Sequence, residues 1–91
     1  MTRRYQRHPD LRLTALEGEG VALHLGSRRY YTVSESGLDL LEALVAPKTI
    51  EELVAVLTAK YEVSEAEAGT SAQAFVERGV RAGVLEVVES P

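Results

Sequence analysis

Ninety-one residues with no cysteine, 10 Lys and Arg against 14 Asp and Glu, and a formal net charge of −4 set the outer limits. A chain of that length builds one small, marginally stable core, and without cysteine it has no disulfides, thiolate catalysis or cysteine-ligated metal. The acidic balance disfavours a non-specific nucleic-acid binder, whose affinity comes from clustered positive charge.

In chain order, the opening "MTRRYQRHPD" carries charge but no following apolar segment, so residues 1–10 read as a basic, flexible tail ahead of a single domain over 11–91. No apolar run approaches the length of a membrane span, and a cytoplasmic protein is expected. "LRLTAL" (11–16) alternates weakly, "EGEG" (17–20) signals a turn, and "VALHL" (21–25) alternates cleanly. "GSRRYYTVSESG" (26–37) then leads from a turn through an aromatic strand into a helix cap. Two adjacent tyrosines stand here in a chain with only 5% aromatic residues. A two-residue loop at Gly26 and Ser27 would set Leu23 opposite Tyr30. A three- or five-residue loop pairs Leu23 with Tyr31 and Val21 with Val33. The latter is preferred, because Val21, Leu23, Leu25, Tyr31 and Val33 then share one apolar face, with Ala22, His24, Tyr30 and Thr32 on the other.

Three helices follow, each with its own start signal. The first begins after the N-cap Ser34, with Glu35 near the positive end of its dipole, carries Leu38, Leu41, Leu44 and Val45, and stops near Pro47. The second opens on a capping box of Thr49 and Glu52 and aligns Ile50, Leu53, Val54, Leu57 and Tyr61. The third opens on a second box, Ser64 and Glu67, and runs through Ala68, Ala72, Phe75, Val76, Gly79 and Val80 to Gly83. A short apolar tail, "VLEVV", closes the chain. The predicted fold is α+β: a three-stranded antiparallel meander followed by three helices.

No catalytic constellation emerges. His8 and His24 lack metal-ligand spacing and a serine–aspartate partner, and neither glycine cluster forms a phosphate loop between strand and helix. The first-turn carboxylates Glu51, Glu52, Glu65 and Glu67 are explained by capping and the helix dipole. The reading is therefore a non-catalytic protein with no cofactor and no metal. The small inward residues of the third helix are the unusual feature, since a mid-helix glycine costs about 1 kcal/mol relative to alanine. Either they leave a trough beside the tyrosine strand, or Gly79 permits close packing.

Taken in order, "RYYTVSESGLDLLEAL", "TIEELVAVLTAKYEVSEAEA" and "AFVERGVRAGVLEV" resemble the PqqD-like family, the leader-recognition domains of peptide natural-product biosynthesis. In its short, free-standing form the chain is most similar to the discrete leader-binding proteins of lasso-peptide pathways. The resemblance implies a winged helix-turn-helix-like fold that takes the leader of a precursor peptide as an added strand and presents it to a separate leader peptidase of the transglutaminase-like type, with a cyclase acting afterwards. A radical SAM enzyme as partner is the alternative. Carried onto this chain, the implied leader-binding residues are Arg28, Arg29, Tyr30, Tyr31, Thr32 and Val33 on the strand, with Ala68, Ser71, Ala72, Phe75, Val76 and Gly79 on the third helix. Gly79 departs from the larger aliphatic residue common in the family.

On the residues alone the plainer account leads, with Tyr31 as core, Tyr30 as a strand former and Arg28 and Arg29 keeping the edge soluble. The resemblance turns the reading toward binding, and strand physics is compatible with it. The last strand of a meander is an edge, and "RRYYTV" has neither proline nor lysine to blunt it. Strand addition draws affinity from main-chain hydrogen bonds and specificity from pockets for alternate side chains. A winged-helix DNA-binding regulator is the rival, but the first turn of the third helix is acidic where it would meet phosphates. Neither nucleic acid nor membrane is expected as a partner, and the protein is expected to be a monomer or weak homodimer.

Overall fold

The computed structural model describes residues 2–90, and among them five strands and three helices. Strands β2 (Leu11–Leu16), β3 (Glu19–His24) and β4 (Arg29–Ser34) form an antiparallel meander in the order β2-β3-β4. Helices α1 (Glu35–Ala43), α2 (Ile50–Lys60) and α3 (Glu65–Ala82) follow. The expected α+β, winged helix-turn-helix-like architecture is therefore observed.

All three helix starts form as their sequences dictate. Ser34 Oγ accepts from the Gly37 N–H at 3.1 Å. Thr49 and Glu52 exchange both bonds of a capping box, as do Ser64 and Glu67. Each N-cap backbone is extended while its side chain satisfies a donor the helix leaves unpaired. Helix α3 ends at Gly83, whose φ of 79° is the left-handed conformation that a side chain disfavours.

The N-terminal residues correct the expectation of a flexible tail. Strand β1 (Thr2–Arg7) pairs antiparallel with β5 (Leu85–Ser90), Tyr5 facing Val87, in a second, two-stranded sheet. Its other side is held by the connection between α1 and α2. The Tyr5 N–H donates to Lys48 O at 2.8 Å, the Lys48 N–H returns to Tyr5 O at 2.9 Å, and the Arg7 N–H donates to Leu44 O. Tyr5, the one apolar residue in this strand, is buried in the core.

The meander register also corrects the expectation. The loop between β3 and β4 has four residues, Leu25 to Arg28, so Leu23 faces Tyr30, Val21 faces Thr32 and Ala22 faces Tyr31. Tyr31 and Val33 do face the helices, but they share that side with Ala22, Leu11 and Leu13; Val21 and Leu23 lie on the open side. The reason is the close approach of α1. Ala22 is buried, and a Cβ placed on Gly20 would meet Leu38 at 2.9 Å, so the covered face of β3 takes small residues rather than the most apolar ones.

The core is built from Leu11, Leu40, Leu41, Leu44, Leu53, Leu57, Ala72, Val76 and Leu85, with Tyr5 at its edge. Val45, expected on the inner stripe of α1, is exposed because the helix ends at Ala43; Leu40 takes the buried position.

Candidate functional site

Among the described residues, strand β4 lies at the edge of its sheet, paired with β3 on one side alone. Which of its backbone groups are free follows from two hydrogen bonds at the neighbouring turns. The Leu25 N–H donates to Asp10 O at 3.0 Å, pointing toward β2, while His24 O accepts from the Arg28 N–H at 2.7 Å, pointing the other way. Successive residues of a strand alternate, so Gly20, Ala22 and His24 direct their backbone groups at β4, where their partners are Val33, Tyr31 and Arg29. The N–H and C=O groups of Tyr30 and Thr32 consequently face the open edge.

Beside that edge runs a groove of about 290 Å³. Its strand wall is Tyr31, Thr32, Val33 and Ser34; its floor is Ala22, Gly37, Leu41 and Val84; its helix wall is Phe75, Arg78, Gly79 and Ala82 of α3. Phe75 and Val33 both approach Gly37 near the start of α1, where a Cβ on Gly37 would lie 3.3 Å from one and 3.4 Å from the other. At the opposite end the Tyr31 hydroxyl donates to Ala82 O at 3.4 Å. Helix α3 thus runs antiparallel to β4.

Of the residues named from the sequence, Tyr31, Thr32, Val33, Phe75 and Gly79 come together here. Arg28, Arg29 and Tyr30 are exposed along the strand and its loop but do not line the groove, and Ser71 is exposed elsewhere on α3. Ala68, Ala72 and Val76 are a correction: at 1%, 0% and 0% exposure they are core, so the small-residue stripe is not a trough floor. Gly79 serves close packing, since a Cβ there would meet Leu85 at 2.6 Å. Sequence reasoning missed Arg78 and Ala82, although they follow Phe75 at three and seven residues, the spacing of one helical face.

A larger hollow, of about 860 Å³, lies at the corner between β1 and β2, bordered by Arg7, His8, Pro9 and Arg12. It follows the outer edge of β2, the other edge strand of the meander, where several neighbouring donors are occupied. The Arg7, His8 and Leu11 N–H groups are already bonded to Leu44, Val84 and His8 carbonyls. His8 and His24 are structural at this corner. Their Nδ1 atoms accept from the Asp10 and Ser27 N–H groups, and their rings lie 4.5 Å apart.

The sequence matches the family described as Coenzyme PQQ synthesis protein D (PqqD) over residues 19–85. The chain belongs to this family. Among solved structures, this PqqD-family chain is similar to TbiB1 in complex with the TbiA(beta) leader peptide. The two are 22% identical, with a TM-score of 0.78 and coverage of 89% of this chain and 94% of that one. It is likewise similar to lasso peptide synthetase B1 complexed with the leader peptide, at 18% identity and a TM-score of 0.75, covering 90% of this chain and 96% of that one. No curated protein matches. The PqqD-like resemblance carried by the tyrosine strand and the capped helices therefore holds for family and fold.

Proposed function

We propose that this protein captures the leader of a ribosomally made precursor peptide and presents it to a separate modifying enzyme, without catalysing a reaction itself. The observation that carries the reading is the free edge of β4, with the backbone groups of Tyr30 and Thr32 directed outward beside an apolar groove. A leader added as a strand would pair with these groups and place alternate side chains against Val33, Phe75 and Leu41. The leader-bound structures of similar fold support the same ligand class.

In this reading the receiving enzyme is a leader peptidase of the transglutaminase-like type, followed by a cyclase, and the protein acts in the cytoplasm as a monomer or weak homodimer. The family description, which names coenzyme PQQ synthesis, favours a second partner, a radical SAM peptide-modifying enzyme; leader capture is common to both. The test is fluorescence anisotropy with the labelled leader of a precursor encoded beside this protein. Saturable binding that unlabelled leader displaces supports the proposal. No binding to that leader at concentrations well above those of ordinary domain–peptide complexes sinks it.

A further inference from the structure

The groove has two chemically different ends, and its charge is of one sign. At the end near α1, Val33, Gly37, Leu41 and Phe75 form an apolar pocket. Toward the other end Arg78 is the one charged residue in the lining, and no carboxylate accompanies it. Arg29 lies just beyond, on the same side of β4 as Tyr31 and Val33. Neither guanidinium makes a side-chain hydrogen bond or ion pair among the described residues, in a chain whose net charge is −4. Local carboxylates are plentiful on α3, at Glu65, Glu67 and Glu77, yet none lines this groove.

Strand geometry converts this layout into a pattern. Val33 and Arg29 are four residues apart, about 13 Å along the strand, with Tyr31 between them on the same face. Phe75 and Ala82 are about 10 Å apart along α3, with Arg78 between. A strand lying on β4 therefore offers groove-facing side chains first to the apolar pocket, then, two and four residues on, to Arg78 and Arg29. Resting on the leader-capture reading above, we infer that the groove selects a peptide strand bearing Asp or Glu two or four residues from an apolar anchor, its carboxylate held by Arg78 and Arg29. Arginine suits this role because its planar fork pairs a carboxylate through two hydrogen bonds.

The experiment measures anisotropy of the labelled leader with wild-type protein, Arg78→Glu, Arg29→Glu and Arg81→Glu. Arg81, also on α3, borders a different hollow with Arg3 and Val87, so its reversal makes the same charge change outside the groove. Reversal at Arg78 or Arg29 is expected to weaken binding about fivefold, an exposed ion pair being worth up to about 1 kcal/mol. Arg81→Glu leaves affinity unchanged. Changing leader Asp and Glu residues to Lys one at a time identifies the partner, and that Lys leader restores binding to Arg78→Glu. Wild-type affinity in folded Arg78→Glu and Arg29→Glu overturns the inference while leaving leader capture standing. Equal weakening by Arg81→Glu also overturns it, because the effect is then general repulsion. Failure of the wild-type protein to bind removes the capture reading and the inference with it.

Discussion

Two glycine and alanine positions show how single residues divide between packing and binding. Ala72 is fully buried and Gly79 faces Leu85 at a distance that excludes a Cβ, so Ala72→Leu and Gly79→Leu overpack the core. Each should lose about 1–3 kcal/mol of stability in urea melts. Phe75, half-buried at the groove wall, behaves differently: Phe75→Ala should leave a native circular-dichroism spectrum and weaken leader binding. A stable, fully folded Gly79→Leu would contradict the packing assignment. A second residue-scale feature joins α1 to α2. The Tyr61 hydroxyl donates to Asp39, which also receives Lys60 at 3.1 Å. The Asp39 bond, followed by desolvation, pushes the Tyr61 hydroxyl up to about 12. Burial alone would raise the Asp39 carboxyl, but the Tyr61 and Lys60 bonds outweigh it and hold the carboxyl low. For Tyr61, raised in the folded state, the stabilisation is complete below its ordinary value of 10 and disappears as pH rises from 10 to 12. For Asp39, lowered in the folded state, it is complete above the ordinary carboxyl value of 3.8 and disappears as pH falls through the lowered one. Urea melts at pH 9 and 11 check this: the wild type loses more stability over that interval than Tyr61→Phe, and equal losses would remove Tyr61 from the account.

At the scale of elements, proline separates the two sides of β4. Proline removes an N–H and is tolerated on an edge strand where that group faces outward. Tyr30 and Thr32 face outward and Tyr31 faces β3, so Tyr30→Pro and Thr32→Pro should fold and lose leader binding, whereas Tyr31→Pro should unfold. Circular dichroism followed by anisotropy checks both halves; a folded Thr32→Pro that binds at wild-type affinity would rule out strand addition along this edge. This parity was not legible in the sequence. Capping boxes were, because Thr49 with Glu52 and Ser64 with Glu67 satisfy donors three residues away, inside one turn. The register of β3 on β4 depended instead on a four-residue loop closed by Arg28, which takes the left-handed conformation at φ 61° without the glycine that would have announced it. The hydrophobic pattern then favoured Leu23 over Ala22 on the covered face, because the close approach of α1 that selects small residues there is a tertiary fact.

Across the whole molecule, the joining of the chain's two ends was the least legible feature and is the one most exposed to test. "TRRYQR" has a single apolar residue, and its pairing partner lies some eighty residues away, so no local period marks it as a strand. What makes it one is the set of tertiary partners: β5 on one side, Lys48 and Leu44 on the other, and a core position for Tyr5. The same docking matters to the groove. Strand β5 begins at Leu85, the residue packed against Gly79, and is preceded by Val84, which lies in the groove floor. Strand β1 therefore supports the helix wall from behind without touching the groove. Tyr5→Ala removes a buried aromatic ring and should lose about 3 kcal/mol of stability. Deleting residues 1–7 also removes the β1–β5 ladder and the bonds to Lys48 and Leu44, which would consume much of the 5–15 kcal/mol typical of a domain. The truncated protein is expected to lose its cooperative thermal transition and, with it, leader binding. Tyr5→Ala should melt earlier yet bind with near wild-type affinity at temperatures where it remains folded. If the truncated protein instead melts at the wild-type temperature, β1 is dispensable, and the groove wall is held by α2 and α3 alone.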